Sequence, residues 1–365
     1  MNKRSTIADI AQAAGVSAGT VSHVLNGNER RVSAATRARV LAVMHDLDYR
    51  PNAIARSMAR RTTATIGLVV SDLTNPVHSE VIRGVEEITS AAGFQLVLAS
   101  APTVEAERAA IDTMRDHQVA GCIFMLYSRP YPSPHLSALQ ATGTPIAVIN
   151  RYLKDRSISQ IHFDDHGAGV KATEHLLSLG HTQVAALAGP MGSASEHRSA
   201  IERHAGWEQA LRDHGLVPRA DWVIPGEYSP RTSYRAIGAF LATTQTVAEQ
   251  PTALFVANFV MAQAALKALH EARVRVPQDM AVVCVDDPAQ AAFSYPALTT
   301  LSLPVVEAGR AAARLVLETI KADSPSYPQQ ITLGFALHVR ESCGGKLIAT
   351  DERSFVDEQH DHPRS

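Results

Sequence analysis

Polar and aromatic residues recur just after short apolar runs in the longer, C-terminal part of this 365-residue chain. Asp, Asn and Arg side chains make paired hydrogen bonds to hydroxyls or ring nitrogens, and aromatic side chains stack on flat rings. These residues are concentrated in 71–78, 150–152, 163–166, 189–203, 226–228, 258–259 and 286–287. The pattern favours a cleft that binds a neutral polyhydroxylated or flat-ring ligand.

The apolar runs predict the elements that position these residues. From Ile66 onward, short β-rich runs alternate with helical stretches of roughly 12 to 16 residues, which is typical of parallel sheets with helices on both faces. The runs are IGLVV, FQLVLAS, GCIFML, PIAVIN, QVAALAG, TALFVA and MAVVCV. About 280 residues of this alternation, interrupted near 150–165, predict two doubly wound lobes, although no repeat between the halves is evident. Because ligands of such sheets bind beyond the carboxyl ends of the strands, we expect the polar loops to meet there.

A different pattern occupies the N-terminal part of the chain. Thr6 and, three residues later, Asp9 predict a helix-opening cap. The apolar residues that follow share one helical face: Ile7, Ile10, Ala11 and Ala14. Gly15 can adopt the left-handed conformation that ends this helix, and Ser17 can cap a second helix that extends to Leu25. Two short helices around a tight turn predict a helix-turn-helix.

The outward face of the second helix is predicted to be small and polar. The inward stripe consists of Val21, Val24 and Leu25. Gly19 and His23 therefore point the opposite way, flanked by Thr20 and Ser22. Such a face fits the major groove of DNA, about 12 Å wide, where hydroxyls contact phosphates and His23 reaches a base edge. The alternative is an ordinary helical hairpin inside a larger core.

Charge and further helical signals extend this N-terminal module. The formal charge is +6 up to Arg61 and −8 over the rest of the chain, which favours a polyanionic partner at one end over a merely solvated basic face. Ser33 begins a third predicted helix, ended by Tyr49 and Pro51, and 51–60 predicts a short fourth one. The residues expected to close the small core from the third helix are Val40, Leu41, Met44 and Leu47.

Composition argues against several other classes of protein. The chain has no span of about 20 apolar residues and no signal peptide, so we expect a cytoplasmic protein that does not enter the membrane. Cys122, Cys284 and Cys343 are far apart, which favours buried thiols. Motifs of phosphate loops, zinc hydrolases and nucleophilic serines are missing, so we expect neither an enzyme nor a cofactor.

One cluster has the residue types of a metal site, namely His162, Asp164, Asp165 and His166. Neighbouring residues of an extended strand point to opposite sides, so this run does not favour joint coordination. We therefore expect no metal.

Several longer motifs are spread over most of the chain. They are the N-terminal module itself, YRPNAIARSM, IGLVVSDLTNP, the run of 164–169, HLLSLGH, RHAGW, VPQDMAVV and PALTTL. In this order, over roughly 6–340, they resemble the LacI/GalR family of bacterial transcriptional regulators. The resemblance implies an all-α helix-turn-helix domain over 1–61 with a hinge helix at about 51–60, and an α/β periplasmic-binding-protein-like body of two parallel-sheet lobes over 62–345. The tail, 346–365, has the composition of a disordered segment.

The resemblance also implies the residues that contact DNA. A homodimer would read a near-palindromic operator on double-stranded DNA, with Met58 as an apolar wedge in the minor groove. Ala18, Gly19 and His23 match the base-reading positions, and the small size of two of them shifts specificity towards DNA deformability. The full predicted set is Thr6, Ser17, Ala18, Gly19, Thr20, Ser22, His23, Asn26, Asn52, Ala55, Arg56 and Met58.

By the same matching, a cleft between the lobes binds a small-molecule effector. The predicted effector-binding residues are Asp72, His78, Asn150, Arg203, Tyr228, Asn258, Phe259 and Asp286. Arg203 and Asp286 would clamp hydroxyls or ring nitrogens, and Tyr228 would stack. Phe259 replaces the aspartate usual in the family, which predicts a more apolar cleft than a plain sugar site. Alternatives for single residues are a helix cap for Asp72 and a surface ion pair for Arg203.

The sequence thus predicts a DNA-binding transcriptional regulator, in its simplest form a repressor, whose operator affinity is controlled by an effector. That effector would be a sugar, a glycoside or a nucleoside-like molecule. Two alternatives stay open. One is a periplasmic-type solute-binding protein without a role in transcription, and the other is a DNA binder that responds to no effector.

Overall fold

The computed structural model describes residues 6–25, 31–47, 49, 63–126, 133–192, 197–243, 250–321 and 328–345. The chain divides into two compact units, Met1–Thr63 and Ala64–Ser365. Among the described residues, no helix has both the length and the apolar character needed to cross a membrane. Cys122, Cys284 and Cys343 are buried and free, as expected.

The first unit contains the predicted helix pair and a third helix. These helices are α1 (Ile7–Ala14), α2 (Ala18–Leu25) and α3 (Ala34–Asp46). Thr6 and Asp9 form the predicted reciprocal cap, Gly15 adopts φ 61°, and Ser17 accepts a hydrogen bond from the backbone N–H of Thr20. The buried core of the unit consists of Ile10, Ala11, Ala14, Val21, Val24 and Val40. The local signals of the sequence therefore predicted this turn correctly.

The expected contribution of α3 to this core is partly wrong. Leu41 and Leu47 are exposed, whereas Val43 packs on the core beside Val40. Positions three and four apart share a helical face, so Leu41 lies about 100° away from Val40. Leu47 comes after the last helical residue, Asp46, and so leaves the helical face altogether.

The second unit is built on two six-stranded sheets. The first has the order β2-β1-β3-β4-β5-β11 and the second the order β7-β6-β8-β9-β10-β12. The strands of the first are β1 (Thr65–Val70), β2 (Gln95–Ser100), β3 (Gly121–Met125), β4 (Ile146–Ile149), β5 (Ser159–Phe163) and β11 (Gln330–Leu333). Those of the second are β6 (Val184–Ala188), β7 (Val223–Pro225), β8 (Ala253–Val256), β9 (Ala281–Val285), β10 (Thr299–Ser302) and β12 (Ala336–His338). Only the β10–β12 pair of these described ladders is antiparallel.

Eight helices of the described chain cover these sheets. They are α4 (Pro76–Ala91), α5 (Val104–Asp116), α6 (Pro134–Ala141), α7 (Asp165–Ser178), α8 (Arg198–Asp213), α9 (Pro230–Thr243), α10 (Phe259–Glu271) and α11 (Val305–Lys321). We call the first sheet with α4–α6 and α11 the N lobe, and the second sheet with α7–α10 the C lobe. In the described residues the chain passes between the lobes at 163–165, 303–305 and 333–336.

The predicted break near 150–165 needs correction, because it contains β5 of the first sheet. The apolar runs also failed to predict β7, β10, β11 and β12. These strands are short, and β11 and β12 lie at sheet edges with half-exposed side chains. Fully buried runs such as β3 and β9 were found through their apolar composition.

The two lobes share one topology, a repeat that the sequence did not make evident. Each sheet places its second strand at one edge, then its first, third, fourth and fifth strands, and takes its last strand from the C-terminal end of the chain. Each lobe also pairs the helix after its first strand with a helix that arrives from the other lobe. These pairs are α4 with α11 and α8 with α7.

Glycines allow each helix pair to cross closely. In the C lobe a Cβ on Gly169 would lie 2.2 Å from the carbonyl oxygen of Arg203, and one on Gly206 would lie 2.3 Å from that of His166. Gly309 and Gly84 occupy the corresponding fifth and ninth positions of α11 and α4. The close crossing brings the first turn of α7 beside the middle of α8.

Candidate functional site

In the first unit, the structure places six of the twelve predicted DNA-contacting residues on one short stretch. Ser17, Ala18 and Gly19 are exposed, and Thr20, Ser22 and His23 are half-buried. Some of the polar side chains on this surface form hydrogen bonds within the unit itself. The Ser17 and Thr20 hydroxyls share a hydrogen bond of 2.9 Å, and the hydroxyl of Thr6 donates to Asp9 at 2.7 Å. The face of α2 is thus small and preorganised.

Five of the predicted DNA-contacting residues lie outside the described residues, so the structure says nothing of them. They are Asn26, Asn52, Ala55, Arg56 and Met58. The hinge helix predicted at about 51–60 and the tail from 346 lie outside them as well.

In the second unit, the carboxyl ends of strands from both sheets surround a cavity of about 560 Å³, including the part open to solvent. Six of the eight predicted effector-binding residues line it: His78, Asn150, Arg203, Tyr228, Asn258 and Asp286. The other lining residues are Ser71, Asn75, Val77, Met125, Leu126, Phe163, Ser199, Leu303 and Val305.

Two predicted residues do not line this cavity. Asp72 forms a turn, in which its Oδ1 accepts hydrogen bonds from the N–H and hydroxyl of Thr74. The cap of α4 is Asn75, so the alternative role of Asp72 as a helix cap is wrong as well. Phe259 begins α10 with its ring in the core of the second sheet, where it is 1% exposed. Its ring therefore does not make the cavity more apolar, contrary to expectation.

The polar centre of the cavity is a buried group of charges. Arg203 is only 5% exposed, so it is not a surface ion-pair residue. Its Nε donates to Asp165 Oδ1 at 2.8 Å, one terminal nitrogen donates to the carbonyl oxygen of Ala257 at 2.5 Å, and the other lies 3.6 Å from Asp286 Oδ1. Asp165 starts α7, and the glycine crossing of α7 and α8 brings it to Arg203.

Charge in this group is unbalanced, because two carboxylates share one guanidinium. Burial raises the pKa of Asp165 and of Asp286, and Arg203 opposes that rise. The carboxylates in turn raise the pKa of Arg203, which stays charged although burial disfavours the charge. The backbone N–H of Phe259 donates to Asp286, so this residue supports the site through its backbone. The group has spare capacity to accept hydrogen bonds.

Three polar residues of the cavity have left-handed backbone conformations at strand ends. Asn150 follows β4 with φ 53°, Asp286 follows β9 with φ 75°, and Tyr228 lies just beyond β7 with φ 50°. Such strain in residues other than glycine is concentrated at functional sites. It turns each side chain abruptly away from the strand direction and towards the cavity.

Neighbouring groups hold Tyr228 and His78 in place. The Tyr228 hydroxyl lies 3.0 Å from that of Ser199, and a Cβ on Gly189 would collide with the Tyr228 ring at 2.6 Å. His78 Nδ1 donates to the backbone carbonyl of Asp72, which requires the proton on Nδ1. Burial lowers the pKa of His78, so its imidazole is neutral and Nε2 is the acceptor.

Opposite the charged group, apolar side chains line the cavity beside the polar residues of the N lobe. The apolar lining residues come from the N lobe and from the crossing segments: Val77, Met125, Leu126, Phe163, Leu303 and Val305. On the same side, Ser71 Oγ and Asn150 Oδ1 are buried and have no hydrogen-bond partner among the described residues. Met125, Leu126, Leu303 and Val305 lie outside the loops singled out from the sequence, because an apolar residue at a strand end has no signal of its own.

The proposed metal cluster does not come together. Asp164 Oδ1 accepts from the N–H of Gly167 as the cap of α7, Asp165 pairs with Arg203, and His162 stacks on Tyr152. No group of three or more potential metal-ligating residues occurs in the part of the chain that the structure describes.

Comparison with known proteins agrees with this architecture. Residues 6–52 match the model of bacterial regulatory proteins of the lacI family, and 173–343 match the periplasmic binding protein-like domain. The HTH-type transcriptional repressor PurR of Photobacterium profundum is 32% identical over 318 residues, which cover 87% of this chain and 92% of that protein. PurR of Erwinia tasmaniensis is 34% identical over 319 residues, covering 87% and 90%.

Solved structures give the same result. The lac repressor dimer bound to operator and the anti-inducer ONPF superposes with a TM-score of 0.78 at 29% identity, covering 93% of this chain and 99% of that one. The complex of the transcriptional regulator CelR with cellobiose superposes with a TM-score of 0.68 at 31% identity, covering 93% and 100%.

The chain belongs to the lacI family of bacterial regulatory proteins. It is a DNA-binding transcriptional repressor controlled by a small-molecule effector, with a helix-turn-helix unit and a two-lobed binding body. The predicted fold and the predicted function of an effector-controlled DNA-binding repressor are confirmed. Both alternatives, a solute-binding protein without a role in transcription and a DNA binder that responds to no effector, are therefore wrong.

Proposed function

We propose that the effector of this repressor is a neutral molecule with several hydrogen-bond donors on one side and an apolar surface on the other. It binds in the cavity between the lobes, with Arg203 and Asp286 as the principal polar contacts and Tyr228 as the stacking ring. A small sugar, a glycoside or a nucleoside-like compound has this character. Binding changes the affinity of the homodimer for a near-palindromic operator.

The observation that carries this proposal is the pairing of two buried carboxylates with one guanidinium. Asp165 and Asp286 already compensate the charge of Arg203, so a phosphate or carboxylate ligand would meet carboxyl oxygens instead of a free cation in a desolvated site. Hydroxyls or ring N–H groups instead donate to the free carboxylate lone pairs. The cavity therefore selects donors and rejects anions.

The apolar lining residues of the cavity restrict the class of effector further. Met125, Leu126 and Val305 offer no hydrogen bonds, so the part of the ligand that contacts them is apolar. Relatives support this class: CelR was solved with cellobiose, and the lac repressor was solved with ONPF and with ONPG.

The DNA contacts are proposed as the sequence predicts them. His23 is the base-reading side chain of α2, while Ala18 and Gly19 leave room for close backbone approach. Met58 is the apolar wedge, and the hydroxyls of Thr20 and Ser22 contact phosphates. Because it binds an operator, the protein is proposed to act in the cytoplasm. In this scheme His23→Ala relaxes preference at one base pair per half-site, and Met58→Lys weakens specific more than nonspecific binding.

The test uses the full-length protein and an operator selected from genomic fragments. A thermal-shift panel contains neutral sugars, aryl glycosides, nucleosides and nucleobases, each beside its phosphorylated form. We expect one neutral class to raise the melting temperature, with a gain of about 2.7 kcal/mol at a hundredfold excess over Kd, and to change operator affinity measured by fluorescence anisotropy. The phosphorylated forms should not act.

Arg203→Ala is the site variant and Arg212→Ala, an exposed arginine of the same helix, is its matched control. The effect of the active compound should vanish in the first and persist in the second. A phosphorylated compound that binds more tightly than its neutral parent would overturn the proposal.

A further inference from the structure

Outside the cavity wall, a layered contact joins side chains of the two lobes. Arg198, the first residue of α8 in the C lobe, places its guanidinium carbon 5.1 Å from the centroid of the Tyr152 ring. Tyr152 follows β4 in the N lobe. Its ring stacks on that of His162 in β5, with centroids 4.1 Å apart and planes inclined by 16°. Guanidinium, phenol and imidazole thus form three layers across the lobes.

Each layer lies next to the cavity along the chain. The cavity residues concerned are Asn150, Phe163 and Ser199, which stand two residues before Tyr152, one after His162 and one after Arg198. In β5 the alternation of a strand sends His162 to Tyr152 and Phe163 to the cavity. The hydroxyl of Tyr152 also donates to the Phe163 carbonyl at 3.5 Å. A shift of the cavity wall therefore moves the layered contact.

This contact can break and form again. The side chain of Arg198 is 51% exposed and Tyr152 is 38% exposed, so water can replace their interaction when the lobes separate. Arg198 also pairs with Glu202 one turn along α8, which holds its guanidinium at the lobe boundary. Burial lowers the pKa of His162, so at neutral pH the stack contains a single cation.

We propose that Arg198, Tyr152 and His162 form an interlobe clasp that holds the lobes in the arrangement of this structure. Cation–π contacts at such exposure change an equilibrium by about 2- to 5-fold. The clasp therefore sets the ratio between this arrangement and one with separated lobes, and through that ratio it sets effector affinity. This inference concerns the lobes themselves and stands whichever ligand class the cavity takes.

The test measures the distance between the lobes without any ligand. In the full-length protein, Ala109→Cys in α5 and Ala272→Cys after α10 introduce exposed thiols on small residues of the two lobes, and both receive nitroxide labels. The native cysteines are buried. Double electron–electron resonance then gives the distance distribution in the parent, in Arg198→Met and in Tyr152→Leu. We expect each clasp variant to raise the population of a second distance by several-fold.

Matched variants distinguish the loss of the clasp from a general disturbance of the fold. Tyr152→Phe keeps the ring and should retain the parent distribution, as should Arg212→Met on an exposed part of the same helix. The double variant Arg198→Met/Tyr152→Leu should add little to either single change, because both remove the same contact. If the folded Arg198→Met and Tyr152→Leu proteins give distributions that superpose on those of Tyr152→Phe and Arg212→Met, the clasp does not exist. Because no ligand is added, neither outcome depends on which effector class the cavity binds.

Discussion

The two lobes have the same topology but differ in charge at the cavity. Arg203 stands three residues before the crossing glycine of α8, and the corresponding residue of α4 is Val81. Asp165 begins α7, whereas Val305 begins the corresponding α11. The C lobe thus concentrates charge at positions where the N lobe has apolar side chains. The fold supplies the cleft, and a few substitutions at equivalent positions give it a polar and an apolar wall.

This division explains how one ligand can act on both lobes. The polar wall supplies directional hydrogen bonds that fix orientation, and the apolar wall supplies burial that grows as the lobes approach. A ligand attached only to the C lobe by Arg203 and Asp286 gains the rest of its binding energy when Met125 and Leu126 cover it. Closure is thereby linked to occupancy, which is what effector control of a repressor requires.

The largest effect is expected from removing the charge that only the C lobe has. Arg203→Ala leaves Asp165 and Asp286 buried without a cation, and breaking such a group costs about 3–5 kcal/mol of stability at neutral pH. Urea denaturation followed by tryptophan fluorescence measures the loss. The corresponding N-lobe change, Val81→Ala, removes only apolar surface and should cost about 1.5 kcal/mol. Equal losses in the two variants would contradict the division between the lobes.

The two lobes share a close helix crossing at glycines, which gives a second comparison. Gly169→Ala and Gly84→Ala place a methyl group about 2 Å from a carbonyl oxygen of the partner helix, and each should cost about 1–3 kcal/mol. Gly169→Ala should weaken ligand binding more than Gly84→Ala does, since it displaces Asp165 from Arg203. Gly238→Ala in α9 meets open space and serves as a control that should stabilise by about 0.5–1 kcal/mol. If Gly84→Ala weakens ligand binding and Gly169→Ala does not, the charged group of the C lobe is not the main ligand contact.

Acid should affect the lobes in opposite directions. In the N lobe, burial acts to raise the pKa of Glu107, but hydrogen bonds from His135 and Arg151 outweigh it and the net pKa is lowered. The stability from this group is therefore present above the unfolded pKa and is lost as the pH falls through the lowered folded pKa. Burial instead raises the pKa of Asp165 and Asp286 in the C lobe. Their protonation begins at higher pH and relieves a penalty, so this group gains stability as the pH falls.

The probes of the chain fit this experiment. Trp207 and Trp222, the two tryptophans, lie in the C lobe, so their fluorescence follows that lobe while circular dichroism follows the whole protein. As the pH falls through the lowered pKa of Glu107, the dichroism transition in urea should come to precede the fluorescence transition. Glu107→Gln should remove the difference. If the two transitions coincide at every pH in both the parent and Glu107→Gln, the lobes do not respond to acid in opposite directions.

The sequence predicted the architecture better than the chemistry of the site. Buried Val- and Ile-rich strands, the cap at Thr6 and the turn at Gly15 each carry their own local signal. Asp165 did not emerge as the partner of Arg203, because their contact depends on two glycines that let α7 and α8 cross. Phe259 was misplaced for a related reason: a chain position beside Asn258 does not say that the ring turns into the core.

The smallest effect is expected from a near-isosteric change in the apolar wall. Val305→Thr keeps shape and volume but places a hydroxyl where the equivalent C-lobe residue is Asp165. Affinity for a ligand with an apolar substituent should fall by about 1 kcal/mol, or roughly five-fold, because the hydroxyl must be desolvated. Affinity for the analogue that lacks the substituent should stay the same. Calorimetric titration of both ligands on both proteins gives the four constants, and a uniform fall would mean that Val305 supports the lobe rather than the apolar side of the ligand.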